Sequence, residues 1–399
     1  MAGSAGTMRV LVVSRIHMPE ASAASFRLQA VERALAAAGA RVRVLTTTAP
    51  GAEAPDDGDA VVSRWPALRD ASGYLRGYLP YMSFDLPVFF RILASSRPRI
   101  ALVEPPPTTG VVARCAFALR RIPYVWYAPD IWSDATDATE APALVKRAVR
   151  AMESFAMRGA RAVIAINEDV AERASALGAR RVAIVPNGID TRSFRFEGDG
   201  PDGRVREEAG LGDAYFVYAG TASEWQGAEV FVDALAAVRA VRPDAQVVFL
   251  GQGAAWPELR RLASRIPDGP TGRPPVVFLP SLPPEEAAAW QRGAVAALVS
   301  IKPGIGYDFA YPTKVLAALA CGTPVLYSGA GPAIDDIRAD RLGWAVRHES
   351  GEVADAMREA LALARDEDER RRLHDWVEAN RSIERTGRDA AAVVLESSR

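Results

Sequence analysis

The stretch 307-YDFAYPTKVLAALACGTPVLYSG-329 decides how the chain is read. Val315-Leu316-Ala317-Ala318-Leu319-Ala320 is a run of good helix formers, Cys321-Gly322 stops it, and 324-PVLYS-328 reads as a buried strand. A helix handed through a short glycine turn into an apolar strand is the repeating unit of a helix-covered parallel sheet. The stretch also carries a chemical oddity. Lys+Arg total 48, yet the only lysines are Lys146, Lys302 and Lys314, and two of them fall in this neighbourhood. Free amide groups and the positive end of the helix dipole make an anion site at a helix start, and an ammonium there adds a point charge for a phosphate. The other reading of Lys314 is a solvated surface cation in the first turn, which the dipole slightly disfavours. Both stay open on this stretch alone.

Working outward, the same alternation fills the chain. In the first half the clearest strands are 8-MRVLVVS-14, 41-RVRVLTT-47, 99-RIALVE-104, 122-IPYVWYA-128, 161-RAVIAI-166 and 182-VAIVP-186. Helical stretches separate them, notably 24-ASFRLQAVERALAAAG-39, with Gly39 as its stop. The second half restarts with 215-YFVYAG-220, 245-AQVVFLG-251, 275-PVVFLP-280, 295-VAALVS-300 and 324-PVLYS-328. The class is therefore α/β with two Rossmann-like domains. The Gly-, Pro- and Asp-rich segment 197-EGDGPDGR-204 reads as the boundary, giving domains 8–197 and 205–380 and a last helix in 381–399 with open packing. Two such domains suggest a ligand cleft between them, since open parallel sheets bind at the carboxyl ends of their strands.

The bulk numbers narrow the function. At 399 residues the chain supports two cores, and a formal net charge of −1 gives no electrostatic case for nucleic acid. Small ligands are the expected partners. Cys115 and Cys321 stand far apart, outside any CxxC or His/Cys cluster, which argues against a disulfide framework and structural zinc and fits a reducing cytoplasm. No run is long enough to span a membrane, and Met1 to Thr7 reads as a loose leader. The turn after the first strand, 14-SRIHMPEASAAS-25, lacks GxGxxG, and GxxxxGK[ST] is absent, so dehydrogenase and P-loop readings are disfavoured.

The order of motifs brings in a family. The segments 27-RLQAVERALAAAGARVRVLTT-47, 184-IVPNGIDTRSF-194, 218-YAGTASEWQG-227, 249-FLGQG-253, 278-FLPSLPPEE-286 and 312-PTKVLAALACGTPVL-326 resemble, in order and spacing, the retaining family-four glycosyltransferases of GT-B fold. The subgroup with PSK before its helix, which includes amino-deoxysugar transferases, is the nearest match. Its D-L-W-P turn corresponds to 130-DIWSD-134, and its proline-rich turn to 104-EPPPTTGVVA-113.

The resemblance implies a nucleotide-sugar donor, UDP-, GDP- or dTDP-linked, on the C-terminal domain and a small-molecule or lipid-linked acceptor on the N-terminal one, with no cofactor and no metal. Gly220 and Thr221 match the turn that approaches the diphosphate, and Gly251 and Gly253 match the next turn. Ser281 and Leu282 lie in the loop that contacts the nucleobase. Lys314 matches a phosphate-side cation, with Gln226, Lys302, Asp308, Tyr311, Pro312 and Thr313 around it. Asp130 matches the acidic turn facing the sugar or acceptor, with His17, Arg27, Glu104 and Trp132 as acceptor-side candidates. Asp130 and Lys314 are the catalytic candidates. For Asp130, a turn or N-cap ahead of Ile131-Trp132 stands as the alternative.

Two departures from the family pattern bear on the donor. Thr221 and Gln226 stand where members commonly carry Arg and Lys. Phe309 and Ala317 occupy the glutamate pair, whose second member binds the donor ribose, and losing such a charge-assisted hydrogen bond costs roughly 1.5–3 kcal/mol. An unusual coupling reaction, a nucleotide-sugar epimerase and a silent binding subunit therefore stand beside the transferase. The segment 74-YLRGYLPYMSFDLPVFFRIL-93 reads either as a helix buried on the first sheet or as a peripheral membrane contact, with Pro80 and Pro87 arguing against a long interfacial helix. Arginine and alanine usage suggests a GC-rich bacterial genome, in which such enzymes build cell-surface polysaccharides or secondary metabolites.

Overall fold

The computed structural model describes residues 7–20, 22–49, 58, 60–70, 75, 77–137, 140–270, 272–363 and 366–399. Residues 1–6 of the expected leader, and positions 74 and 76 of the aromatic segment, lie outside them. The chain divides into two compact units, Met1–Gly188 with Ile383–Arg399, and Ile189–Ser382.

The first unit holds, among the described residues, a seven-stranded sheet. Its strands are β1 (Arg9–Val13), β2 (Arg41–Thr47), β3 (Val61–Trp65), β4 (Ile100–Val103), β5 (Tyr124–Ala128), β6 (Ala162–Ala165) and β7 (Val182–Ile184). They pair in parallel in the order β3-β2-β1-β4-β5-β6-β7. Central strands are apolar without alternation because both faces are covered. Val10 and Val12 pack with Leu28, Val31 and Val394 on one face, while Leu11 and Val13 pack with Phe84, Phe117 and Trp126 on the other.

The second unit repeats the design with six strands among the described residues. These are β8 (Tyr215–Thr221), β9 (Gln246–Gln252), β10 (Val276–Leu279), β11 (Ala297–Ile301), β12 (Val325–Gly329) and β13 (Gly343–Val346). All are parallel, in the order β10-β9-β8-β11-β12-β13. Phe216 and Tyr218 face Phe231 and Phe249 on one side; Tyr215 and Val217 face Trp290, Val315 and Leu319 on the other. In both units the strand order reverses beside the first strand, so β1/β4 and β8/β11 are the switch points where such sheets receive ligands.

The composition-marked stretch 197–204 lies within the second unit, and the units change over at Gly188–Ile189. Arg292 ties this segment down: its guanidinium donates to the carbonyls of Asp199 and Arg195, and Phe196 is buried nearby. The last helix, Ile383–Ser397, belongs to the first unit and lies along the helix Ala23–Ala37. The helix Tyr78–Ala94 buries Phe84, Asp85, Val88 and Ile92 and runs through Pro87. Pro80 falls in its first turn, where no amide partner is needed.

A β-carbon at Gly387 would stand 2.5 Å from the Ala30 carbonyl oxygen. Gly387→Val is expected to destabilise the chain by about 1–3 kcal/mol through overpacking, seen as a lower thermal-unfolding midpoint; an unchanged midpoint would contradict this helix contact.

Candidate active site

At the switch point of the second unit, Lys314 stands in the first turn of the helix Thr313–Ala320 and reaches back to the end of β8. Its Nζ donates to Tyr218 Oη at 2.8 Å and to the Thr221 carbonyl at 2.5 Å, and lies 4.1 Å from the centre of the Tyr218 ring. A β-carbon on Gly220 would come within 3.0 Å of Lys314 Cε, so the glycine makes room for the side chain. Gly251, at φ +144, lets the end of β9 approach the Gly220 carbonyl in a way a side chain would block. Pro312 caps this helix without a side-chain hydrogen bond. Its first amides therefore keep the partial positive charge that attracts anions. Burial pushes the Lys314 ammonium down to about 7.

Around Lys314 the expected donor residues divide. Thr221 and Thr313 are exposed, as are Lys302 and the whole loop to Phe309. Lys302 pairs with Glu229 at 3.5 Å, and its amide donates to the Trp225 carbonyl. Gln226 is buried and closes its own turn, its side-chain oxygen accepting from the Ser223 amide at 2.9 Å. Asp308 accepts from the Gly304 amide, and the Tyr311 hydroxyl donates to Asp336. Ser281 is exposed, Leu282 packs on the core behind β8, and Gly253 sits against the Ala222 carbonyl. Ala317 is 8% exposed on the Lys314 helix.

The switch point of the first unit is a closed polar network. Arg27 and Glu104 form an ion pair at 2.6 Å, both nearly inaccessible, and Ser14 Oγ donates to the second Glu104 oxygen at 3.1 Å. His17 is 5% exposed; its Nε2 meets Glu32 at 3.1 Å and its Nδ1 the Met18 carbonyl. Burial works against the imidazolium, yet Glu32 outweighs it and the His17 pKa is raised. These three candidates are therefore held by protein partners. Asp130, by contrast, is exposed after β5. Its carboxyl is pushed up to about 6, first by desolvation and then by the charge of Glu153, although water at the exposed residue screens part of this. The helix after it, Trp132–Asp137, is capped by Glu153, whose oxygens accept from the amides of Trp132 and Ser133 at 2.8 and 2.9 Å. Asp130 is thus relieved of that capping duty.

The family described as Glycosyl transferase 4-like domain matches residues 23–188, and the family described as Glycosyl transferases group 1 matches residues 213–363. The chain is thus similar to glycosyl transferase families over both of its halves. The D-inositol 3-phosphate glycosyltransferase of Pseudarthrobacter chlorophenolicus is 32% identical over 217 residues, 51% of this chain and 47% of that one. The GDP-mannose-dependent alpha-(1-6)-phosphatidylinositol dimannoside mannosyltransferase of Mycobacterium tuberculosis is 31% identical over 197 residues, 47% of this chain and 44% of that one. The chain thus spans about half the length of the curated relatives it matches. In fold, it is similar to the Anabaena protein HepE, solved in complex with UDP-glucose: TM-score 0.66, 17% identity, 98% of this chain and 100% of that one.

Several features of this site escaped the motif reading. Tyr218, under Lys314, looks like an ordinary core aromatic in the strand. Trp225 and Tyr307 stack with centroids 4.5 Å apart, and Phe309 continues the stack at 6.5 Å. Tyr307 and Phe309 remain 42% and 37% exposed, an aromatic platform beside Lys302. Among the described residues, no group of three His, Cys, Asp or Glu side chains converges to hold a metal ion.

An ordinary lysine titrates at 10.5, and folded Lys314 at about 7. Below pH 7 the folded state carries the full desolvation penalty. Between these values the unfolded chain binds the extra proton, so folded stability rises with pH until the penalty is gone above 10.5. Wild-type stability relative to Lys314→Met is expected to rise from pH 7 to 10 in urea unfolding. A difference independent of pH would contradict a desolvated amine.

Proposed function

We propose that this chain moves a hexosyl group from a nucleoside-diphosphate sugar to a hydroxyl of a small-molecule or lipid-linked acceptor, with retention at the anomeric carbon. The observation that carries the reading is Lys314: a half-buried amine beside an uncapped helix start, whose hydrogen bonds go to a carbonyl and a phenol, both neutral oxygens. Such a site lacks an anion, and a diphosphate supplies one. The relatives' names point the same way, since one uses GDP-mannose and HepE holds UDP-glucose.

In this reading the bond between the anomeric carbon and the diphosphate oxygen breaks, the electron pair leaves with the diphosphate, and the acceptor oxygen forms the new bond on the same face. The acceptor proton passes to a diphosphate oxygen. Lys314 and the first amides of its helix stabilise the charge that develops on the leaving group, an electrostatic contribution preorganised before the reaction. Thr221 and Gly220 line the diphosphate, Ser281 and Leu282 the base, and the Trp225–Tyr307 platform the sugar. Asp130, whose raised pKa keeps it partly protonated near neutrality, orients the acceptor hydroxyl. Contact with the base, sugar and acceptor is part of the proposal, as is a peripheral stay at a membrane surface. Among the described residues no helix is long and apolar enough to cross a membrane.

Calorimetry with UDP, GDP and dTDP at pH 8, in buffers of different ionisation enthalpy, tests the site. Free Lys314 is largely neutral at that pH and is drawn back to the ammonium by the bound diphosphate, so binding is expected to take up a proton. Lys314→Ala should abolish the uptake and lower affinity roughly 10- to 150-fold, the range for a charge-assisted hydrogen bond. Tight binding of a nucleotide to the variant, without change in proton uptake, would remove Lys314 from the site. Ala317→Glu restores a carboxylate on the adjacent helix turn and is expected to tighten nucleotide binding by about 10-fold; unchanged or weaker binding would mean that the ribose lies elsewhere.

A further inference from the structure

We infer that the first unit carries a further anion site, for a small ligand with a chain of two or more phosphates, at the amino ends of its central strands. There Arg9, Arg97, Arg99, Arg121 and Arg161 line one concavity of about 740 Å³. Arg9 opens β1, Arg99 immediately precedes β4 and Arg161 immediately precedes β6, while Arg97 and Arg121 sit in the turns leading into β4 and β5. Strands β1, β4, β5 and β6 are consecutive in the sheet, so all five cations are delivered to one edge. The Arg99 amide donates to the Arg9 carbonyl at 2.8 Å, which sets these two residues side by side on neighbouring strands. Like charges so placed repel.

No Asp or Glu side chain lines this concavity. Arg97 donates to the Arg121 carbonyl at 3.2 Å and Arg99 to the Ser398 carbonyl at 3.0 Å, both neutral oxygens. Among the described residues, none of the five forms an ion pair with an Asp or Glu side chain. The carbonyl ends of the covering helices point to this edge and favour cations, but that preference does not exclude counter-ions. At the same edge of the second unit, Asp213 and Asp244 stand two residues before β8 and β9 and pair with Arg206 and Arg242 at 3.1 and 3.5 Å. The first unit omits such partners, on a chain whose formal net charge is −1.

Shape and chemistry set the ligand class. Guanidinium forks hold phosphate oxygens bidentately, and several that converge suit successive phosphates. A concavity of this size takes a small molecule. Its apolar lining, Met8, Pro98 and Pro123, is not exposed, so it offers a bilayer no side chain to insert. A chain of net negative charge also lacks the long-range field that draws in nucleic acid. All the lining residues belong to the first unit, so the site does not depend on the transfer reading at Lys314.

Calorimetry on the full chain carrying Lys314→Ala, which removes the donor-side cation, tests it with inorganic tripolyphosphate, ATP and sulfate. At about 0.15 M ionic strength, tripolyphosphate is expected to bind at least about 10-fold more tightly than sulfate. ATP binding more tightly still would identify a nucleotide as the source of the phosphates, and equal or weaker ATP binding an inorganic oligophosphate; both uphold the site. Arg9→Gln with Arg161→Gln, whose guanidinium groups hold no protein partner among the described residues, should lower tripolyphosphate affinity about 10-fold or more and keep the unfolding midpoint. Arg204→Gln with Arg265→Gln removes the same charge from the second unit and should leave the affinity unchanged. On the unmodified chain, tripolyphosphate should protect the five arginines from a dicarbonyl reagent, read by mass spectrometry, so a variant that misfolds does not decide the matter. Sulfate binding as tightly as tripolyphosphate, meaning an adventitious ion only, would overturn the assignment. So would equal losses in the two double variants, no protection of these arginines, or their protection by an oligonucleotide or phosphatidylglycerol vesicles in place of tripolyphosphate. Failure of the Lys314-linked proton uptake, by contrast, bears on the transfer reading alone.

Discussion

A single half-buried amine organises the second unit's functional edge. Lys314 sits where the strand order reverses, against a tyrosine ring and a main-chain carbonyl, and burial holds its pKa near 7. A cation in such a place costs stability unless something negative arrives. Everything near it serves the same end: the glycine at 220 clears space for its stem, and the helix start beside it lacks a side-chain cap. Strands β8 and β11 fix the spacing because both are buried on two faces and have little freedom to shift.

The first unit is arranged on the opposite principle. Its switch point is filled by the Arg27–Glu104 pair, Ser14, and the His17–Glu32 pair, each held by a protein partner. A buried pair of this kind is poor evidence for ligand contact, since removing a partner leaves an uncompensated charge. What remains available lies at the rim, after β5, where Glu153 takes over helix capping and leaves Asp130 exposed with a raised pKa. The network then has a positioning part: it fixes the ends of β1 and β4, from which the rim is built.

Much of this was legible in the sequence, and the exceptions have physical causes. Strands such as 10-VLVV-13 and 324-PVLYS-328 stand out because burial on both faces demands apolar residues throughout. The edge strands β3 and β13 were missed: β3 carries Ser63 and Arg64, β13 is only four residues long, and neither is fully buried. Helix Tyr78–Ala94 tolerates Pro87, which local reading treats as a breaker. The Gly- and Asp-rich stretch 197–204 looked like a linker, yet a long-range arginine, Arg292, anchors it to the second unit. Lys314 could be found by its rarity and helix position, whereas Tyr218 and the Trp225–Tyr307 stack could not, because nothing local tells a core aromatic from one that lines a site. Gln226 illustrates the converse: its spacing suggested ligand contact, and its side chain closes a turn.

Because the chain has only three lysines, selective ¹⁵N labelling of their side chains allows Lys314 Nζ to be titrated directly by NMR, with Lys314→Met for assignment. A resonance that titrates near pH 7 in the free protein and moves well upward when a nucleoside diphosphate is bound is expected. A Lys314 resonance that titrates close to 10.5 in the free protein, and stays there in the presence of saturating nucleotide, would contradict it.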